Sequence, residues 1–166
     1  MPLQRLILLR HGKAEERAPS GKDVDRALAP RGHQEARETG RRLAEGGFAP
    51  SLAMVSTARR ASETWDEVAL ALPGTRLELI PGLYNANPAM MIEAAEASGA
   101  DSVILVGHNP GMHALALELV TRGLASVNVS RALANGFPTA AAAVFRFEDG
   151  KALCEAFLTP RDEIGA

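Results

Sequence analysis

Three short runs of this chain, residues 6–9, 52–55 and 103–106, are apolar at every position. An unbroken apolar run of this length is typical of a buried strand, and residues 103–106 predict a central strand buried on both faces. Because stretches with helical periodicity lie between the runs, we expect helices to cover the sheet. The sequence thus predicts an α/β fold, a three-layer α/β/α sandwich whose sheet is mixed but mainly parallel.

Further strands and helices follow from turn residues and apolar spacing. Residues 142–147 and 152–158 predict a hairpin, since Asp149 and Gly150 between them favour a tight turn. This antiparallel pair is the reason to expect a mixed sheet. Residues 77–80 predict one more strand, and helices are expected to begin at Pro30, near Arg59, at Pro88 and near Met112.

Length and composition limit the classes of protein to consider. With 166 residues, 46% of them hydrophobic, the chain fits one globular domain spanning residues 1–166. The net charge of −2 gives no reason to expect nucleic acid or a membrane as a partner, and no apolar stretch approaches the roughly 20 residues that cross a bilayer. The run at residues 6–9 is too short for a signal peptide. The only cysteine, Cys154, lies in an apolar context, which predicts a buried thiol and a reducing, cytoplasmic compartment.

Charged and imidazole side chains follow the three apolar runs. Arg10 and His11 come directly after the first run, Arg60 lies a few residues beyond the second, and His108 follows the third. The carboxyl ends of neighbouring parallel strands meet at one edge of a sheet, where α/β proteins place their functional residues. We therefore expect these four side chains to converge and to form a pocket for a phosphoryl group.

Phosphoryl transfer to a histidine fits this set of side chains. A neutral imidazole has a free lone pair near neutral pH, and neighbouring arginines disfavour its protonation. Arg10, Arg60 and His108 provide donors for the oxygens of a transferring phosphoryl group, which leaves one histidine available as nucleophile. Asn109, before Pro110, predicts the N-cap of a helix whose free backbone amides favour an anion.

Two other kinds of site fit the sequence less well. Histidine is a common metal ligand, but His108 and His113 are five residues apart and do not share one helix face. A P-loop is excluded because none of the Gly-Lys pairs has the required upstream glycine and following hydroxyl. His33 and His113 lie on expected helices and are interpreted as surface or local hydrogen-bonding groups. We expect neither a metal nor another cofactor.

These residues resemble the motifs of the histidine phosphatase superfamily, which includes the phosphoglycerate mutases. Residues 9–12 (LRHG) match the opening motif of the family, whose histidine is the phosphorylated nucleophile. Residues 56–64 (STARRASET) resemble its Ser-Pro-x-x-Arg-Ala-x-x-Thr segment, with threonine replacing proline, and this register assigns the phosphate-binding arginine to Arg60. Residues 107–110 (GHNP) match the late motif. The stretch between the first two motifs also resembles the family at Asp23, Arg26, Leu28, Gly32 and Ala36.

Within the superfamily, the chain is similar to the SixA-type phosphohistidine phosphatases. The similarity is carried by the compact length and by residues 10–15 (RHGKAE), 83–86 (LYNA) and 137–139 (FPT). Many superfamily members have a glutamate proton donor after the third strand, and Asn85 occupies the matching position here. An alkoxide leaving group needs a proton, whereas a phosphoimidazole protonated on its distal nitrogen leaves as neutral imidazole. An acid from another direction stays open, with three candidates: Glu15, Glu16 and Glu63.

The resemblance implies a phosphoglycerate mutase-like fold and a metal-independent phosphohistidine phosphatase of signal transduction. His11 would carry the phosphoryl group as an intermediate, while Arg10, Arg60, His108 and Asn109 surround the phosphate. The implied partner is a phosphohistidine-bearing protein, such as a histidine-containing phosphotransfer domain. Two alternatives stay open: a phosphatase of small phosphomonoesters on the same scaffold, and a phosphohistidine-binding regulatory module without turnover.

Overall fold

The computed structural model describes the backbone of residues 2–160 and 163–165 and the side chains of residues 2–160. The strands are β1 (Arg5–Arg10), β2 (Leu52–Val55), β3 (Arg76–Leu79), β4 (Ser102–Gly107), β5 (Ala142–Glu148), β6 (Lys151–Leu158) and β7 (Glu163–Gly165). The α-helices are α1 (Pro30–Glu45), α2 (Arg59–Ala69), α3 (Pro88–Ala97), α4 (Gly111–Arg122) and α5 (Val127–Asn135).

The strands form one sheet in the order β3-β2-β4-β1-β5-β6-β7. The pairs β2–β3, β2–β4 and β1–β4 are parallel, whereas β1–β5, β5–β6 and β6–β7 are antiparallel. The three apolar runs of the sequence, residues 6–9, 52–55 and 103–106, lie in β1, β2 and β4, which belong to the parallel half of the sheet. The expected mixed sheet with its β5–β6 hairpin is therefore confirmed, but the described strands make as many antiparallel as parallel pairs because β7 adds one more antiparallel pair beyond the hairpin.

Helices cover both faces of the sheet, which confirms the three-layer sandwich. On one face, Leu105 and its neighbours pack with apolar residues of α3, α4 and α5. On the other face, Ile104 and Val106 pack with residues of α1 and α2, including Trp65. Every residue of β4 from Val103 on is buried, as the apolar run predicts for a central strand. No α-helix in the described part of the chain is long and apolar enough to cross a membrane.

The structure differs from the sequence expectations at three elements. Helix α5, which the periodicity did not indicate, begins after Ser126, whose side chain accepts a hydrogen bond from the Val129 amide. Strand β3 begins at Arg76, and its side chains are mostly exposed because it forms the edge of the sheet. The N-cap of α4 is Pro110 and not Asn109, so that expectation was wrong.

Cys154 behaves as its apolar context predicts. The side chain is fully buried on β6, and burial raises the pKa of the thiol to about 12. A thiol with such a pKa carries almost no thiolate at neutral pH and is a poor nucleophile.

Strand register brings the functional residues to one edge of the sheet. Arg10 on β1 lies opposite Gly107 on β4, and Val55 on β2 lies opposite Val106. The residues that follow these strands therefore start next to one another. The first residue of β5, Ala142, pairs with β1 at the same edge. The loop before β5 therefore lies next to this edge as well.

Two glycines allow the loop after β1 to lie directly against the first turn of α1. A Cβ atom at Gly32 would lie 2.1 Å from the carbonyl oxygen of Lys13, and a Cβ at Gly12 would lie 2.8 Å from that of Gly32. Both distances are shorter than any side chain can tolerate without a backbone shift. These contacts fix the position of the segment that carries His11.

We predict that Gly32→Ala destabilises the protein although alanine favours a helix more than glycine does. The added methyl group must push α1 away from Lys13, and such overpacking costs about 1–3 kcal/mol of unfolding free energy. Urea denaturation would measure the change. Gly74→Ala is the matched control, since nothing lies within 4 Å of a Cβ at Gly74. Equal or greater stability of Gly32→Ala would contradict the close approach.

Candidate active site

The structure brings together four of the five predicted site residues around one small pocket. Arg10 ends β1, His11 follows it, Arg60 lies in the first turn of α2, and His108 follows β4. The imidazole rings of His11 and His108 are 5.2 Å apart between centroids, and Arg60 Nε lies 3.4 Å from His11 Nε2. His11 and Arg60 are both buried. Each strand end thus contributes to the pocket, as the sequence predicts.

Hydrogen bonds fix the orientation of the His11 imidazole. Its Nδ1 lies 2.7 Å from the Gly12 carbonyl oxygen, which can only accept, so Nδ1 carries the proton. The Nε2 lone pair is then available and points toward the Arg60 guanidinium. The loop itself is held because the Gly12 amide donates to Thr64 Oγ1, whose hydroxyl donates to the Arg60 carbonyl oxygen.

The second histidine is oriented by a buried serine. Ser56 Oγ accepts a hydrogen bond from the Ala58 amide and lies 2.8 Å from His108 Nε2. A serine hydroxyl can donate to Nε2 or accept from it, so this contact orients the ring in either tautomer. Within the described residues, His108 Nδ1 and Arg10 Nε are buried without a hydrogen-bond partner. Two members of the pocket thus keep a buried nitrogen without a partner, which is costly unless a ligand provides one.

Asn109, the fifth predicted residue, supports the pocket from outside. Its Nδ2 donates to the Phe137 carbonyl oxygen at 3.0 Å, and its Oδ1 accepts from the His113 amide at 3.1 Å. Arg10 Nη1 donates to the same Phe137 oxygen at 3.0 Å. The side chain of Asn109 therefore links the start of α4 to the loop before β5. Although it does not occupy the N-cap position, it still satisfies an amide of the first helical turn.

Asp23 and Tyr84 contact the pocket residues, although neither was among the predicted site residues. Asp23 accepts hydrogen bonds from Arg60 through its backbone oxygen at 2.9 Å and through Oδ2 at 3.0 Å. The Tyr84 hydroxyl also donates to Oδ2, and Arg26 Nε donates to Oδ1. The tyrosine hydroxyl and the two arginines hold the pKa of Asp23 well below its usual range. The signal for both residues lies in the family resemblance, which includes Asp23 and the stretch at residues 83–86.

Burial and charge keep both histidines of the pocket neutral. Burial lowers the pKa of His11 to about 3, and the positive charges of Arg60 and Arg10 act in the same direction. For His108, burial and then the charge of Arg60 lower the pKa to about 4. A lowered pKa means that the neutral form persists over the whole physiological range. His11 is therefore a ready nucleophile without a separate base.

The glutamates that were candidate acids lie elsewhere. Glu63 accepts hydrogen bonds from the Leu28 amide through Oε1 and from Arg59 Nε through Oε2, so both of its oxygens serve the local structure. Glu15 and Glu16 are exposed on the loop after β1. None of the three lines the recess described below.

The other two histidines make contacts away from the pocket, as expected. His33 Nδ1 lies 2.9 Å from Glu67 Oε2, and His113 Nε2 lies 2.6 Å from the Leu133 carbonyl oxygen. Among the described residues, no group of three or more His, Cys, Asp or Glu side chains is arranged to hold a metal ion.

A recess of about 380 Å³ opens beside His108. Asn85 lies in its wall and is exposed to solvent. The described residues that line the recess carry no carboxyl, lysine or arginine side chain; they are Tyr84, Asn85, Ala86, Asn87, Pro88, His108, Asn109, Pro110, Gly111 and Ala114. The space beside His108 is therefore uncharged, and amide groups and small apolar side chains border it.

Comparisons with known proteins agree with this site. The sequence profile of the histidine phosphatase superfamily (branch 1) matches residues 6–91. An uncharacterised protein of Mycobacterium tuberculosis is 33% identical over an alignment that covers 92% of this chain and 100% of that protein. The crystal structure of a protein assigned as the phosphohistidine phosphatase SixA of Agrobacterium tumefaciens has 33% identity and a TM-score of 0.84, covering 95% of this chain and 99% of that one.

A second solved structure supports the fold alone. The protein histidine phosphatase SixA complexed with tungstate is 23% identical, with a TM-score of 0.75 and coverage of 95% of this chain and 97% of that one. Together with the profile match, these structures confirm the phosphoglycerate mutase-like fold that the sequence resemblance implies.

We predict that both pocket histidines are neutral at pH 5, with His11 protonated on Nδ1. Their lowered pKa values, about 3 and about 4, place protonation below that pH, in contrast to an ordinary histidine near 6.5. Long-range ¹H–¹⁵N NMR of the imidazole nitrogens measures both the charge and the tautomer. His11→Asn and His108→Asn assign the signals. A doubly protonated His11 ring at pH 5 would contradict the described environment.

Proposed function

Since this chain belongs to the histidine phosphatase superfamily and is a phosphatase, we propose that it removes phosphate from a phosphohistidine on another protein, through a phospho-His11 intermediate and without a metal. The observation that carries the choice of substrate is the uncharged recess beside His108. The leaving group departs next to an amide, Asn85, and not next to a carboxyl group. This suits a leaving group that needs no proton from the enzyme.

In the first step, His11 Nε2 attacks phosphorus as the bond between phosphorus and the substrate nitrogen breaks. The electron pair of that bond returns to the substrate imidazole. If the distal ring nitrogen already holds a proton, the ring leaves as neutral imidazole. Donor and acceptor are then the same chemical group, so the transfer is close to balanced in free energy and requires no general acid.

In the second step, water attacks phosphorus and the bond to His11 Nε2 breaks. His11 leaves as a neutral imidazole because its proton stays on Nδ1, where it is hydrogen-bonded to the Gly12 carbonyl oxygen. The proton lost by water ends on the phosphate product or in solvent. The environment that holds His11 neutral thus also makes it a good leaving group.

The pocket supplies donors for the charge that the phosphoryl oxygens carry during both steps. Arg10 Nε and His108 Nδ1 have no partner within the described residues, and Arg60 Nε faces the nucleophile. Fixed donors in a site of low polarity stabilise a transferring phosphoryl group more than water does. The roles of Arg10, Arg60 and His108 are therefore electrostatic: the positive charges of the two arginines take the place of a metal ion, and neutral His108 adds a polar ring nitrogen.

The partner is inferred from the way the recess opens to solvent. Asn85 and Asn87, which line it, are both exposed, so a side chain projecting from a protein surface can enter. A histidine-containing phosphotransfer domain is the partner that we infer.

We predict that the protein releases phosphate from a phosphohistidine protein faster than from an aryl phosphate, in the presence of a chelator. His11→Ala is expected to reduce turnover by about 1000-fold or more, because the nucleophile is lost. Release of inorganic phosphate would be measured for both substrates. His33→Ala is the matched control, since this histidine contacts Glu67 and lies outside the pocket.

The outcomes separate the candidate functions. Turnover of the ester alone would assign the chain to the small-molecule phosphatases, and a stable phospho-His11 protein without turnover would indicate a regulatory binding module. Full activity of His11→Ala would overturn the mechanism.

We predict that Asn85→Glu gains activity toward alkyl phosphates. A carboxyl group at this position can protonate an alkoxide leaving group, and a positioned acid contributes roughly 100-fold or more when its geometry is right, so a gain of about 10-fold is expected. The rate would be measured below pH 6, where part of the glutamate is protonated. Asn85→Gln controls for side-chain length. Equal ester turnover in both variants would contradict the assignment of Asn85 to the leaving-group side.

A further inference from the structure

Two loops that contact the pocket residues are joined to each other by a hydrogen bond. Asp23 belongs to a one-turn 3-10 helix, Asp23–Asp25, in the loop between β1 and α1. Tyr84 follows a similar turn, Pro81–Leu83, between β3 and α3. The Tyr84 hydroxyl donates to Asp23 Oδ2 and so joins the two loops.

Asp23 controls the direction of the Arg60 guanidinium. Its backbone oxygen accepts from Nη1 and its carboxylate from Nη2, which fixes one edge of the planar fork. With that edge fixed, Nε faces His11 Nε2 at 3.4 Å. A rotation of the guanidinium would carry this donor away from the atom that receives the phosphoryl group.

Tyr84 contacts both the carboxylate that orients Arg60 and the second histidine. Its ring packs edge-on against the His108 ring, with centroids 5.3 Å apart and an interplanar angle of 87°. The Arg60 Cζ atom lies 5.9 Å from the centre of the tyrosine ring. One side chain therefore borders two of the groups that bind the phosphoryl oxygens.

We propose that Tyr84 is a positioning residue: its hydroxyl fixes Asp23, so that Arg60 is aimed at the phosphoryl group on His11, and its ring fixes the plane of His108. The inference rests on the proposed phosphoryl transfer at His11. Tyr84 acts through Asp23 and exchanges no proton with the substrate. The effect of its hydroxyl is therefore transmitted by one hydrogen bond.

Binding of a phosphate-like oxyanion tests this role without any assumption about the natural substrate. Titration calorimetry with tungstate would be performed on the full-length wild type, Tyr84→Phe, Asp23→Asn and the double variant. Tyr84→Phe keeps the ring and removes only the hydroxyl. The kcat and KM for a phosphohistidine protein would be measured on the same samples, together with the thermal unfolding temperature.

Ser20→Ala is the matched control for the loop. It removes a hydrogen bond from Ser20 Oγ to Asp25 Oδ2, 2.7 Å long, in the same turn but without contact to Arg60. We expect wild-type binding and turnover from this variant.

We predict that Tyr84→Phe weakens tungstate binding by about 5-fold, the effect of one ordinary hydrogen bond, and lowers kcat by a similar factor with little change in KM. Asp23→Asn is expected to have a larger effect. Adding Tyr84→Phe to Asp23→Asn should change little further, since both act on Arg60 by one route.

Additive effects of the two substitutions, or unchanged tungstate binding in Tyr84→Phe, would overturn the proposal. The proposal would also be overturned if Tyr84→Phe weakened tungstate binding only in proportion to a lower unfolding temperature. The hydroxyl would then stabilise the two loops without positioning Arg60. If the wild type releases no phosphate from phosphohistidine but tungstate binding shows the expected pattern, the proposed substrate is wrong while the positioning role stands.

Discussion

The parallel pairing of β1 with β4 extends beyond the strands themselves. The His11 amide donates to the Gly107 carbonyl oxygen at 3.0 Å, and the Ser56 amide donates to that of Val106 at the same distance. These two bonds continue the ladder into the segments that carry the functional side chains. His11 and Ser56 are therefore held by main-chain bonds of the sheet, and His108 directly follows the residue that accepts the bond from His11. Every other contact of the pocket is built on this alignment.

Charge balance in the pocket follows from that alignment. Two guanidinium groups lie beside two imidazoles, and burial together with the positive charges keeps the imidazoles neutral. The positive charge of Arg60 is opposed by Asp23, which stays ionised because three donors surround its carboxylate. The pocket thus retains a surplus of positive charge and, on His11, a ring nitrogen with a free lone pair. An anion with a phosphorus centre is the ligand that this combination favours.

Much of this arrangement can be predicted from the sequence, because it depends on residues that are close to one another along the chain. Unbroken apolar runs predict buried parallel strands, and residues that follow such strands must converge, as Arg10, His11 and His108 do. The contact of Asp23 with Arg60 joins residues 37 positions apart and depends on the path of a polar loop, which periodicity does not describe. Helix α5 was missed for a related reason. It packs on the sheet through few apolar residues, and its start is marked by a single cap, Ser126.

The carbonyl oxygen of Phe137 supports the pocket at two points, through Arg10 and through Asn109. Both contacts involve a main-chain atom, which every amino acid provides. The phenylalanine ring is occupied elsewhere, packed against Phe157 at 5.4 Å in the core. The two supporting hydrogen bonds therefore depend on the path of the loop, and the buried ring contributes to them only by holding that path in place.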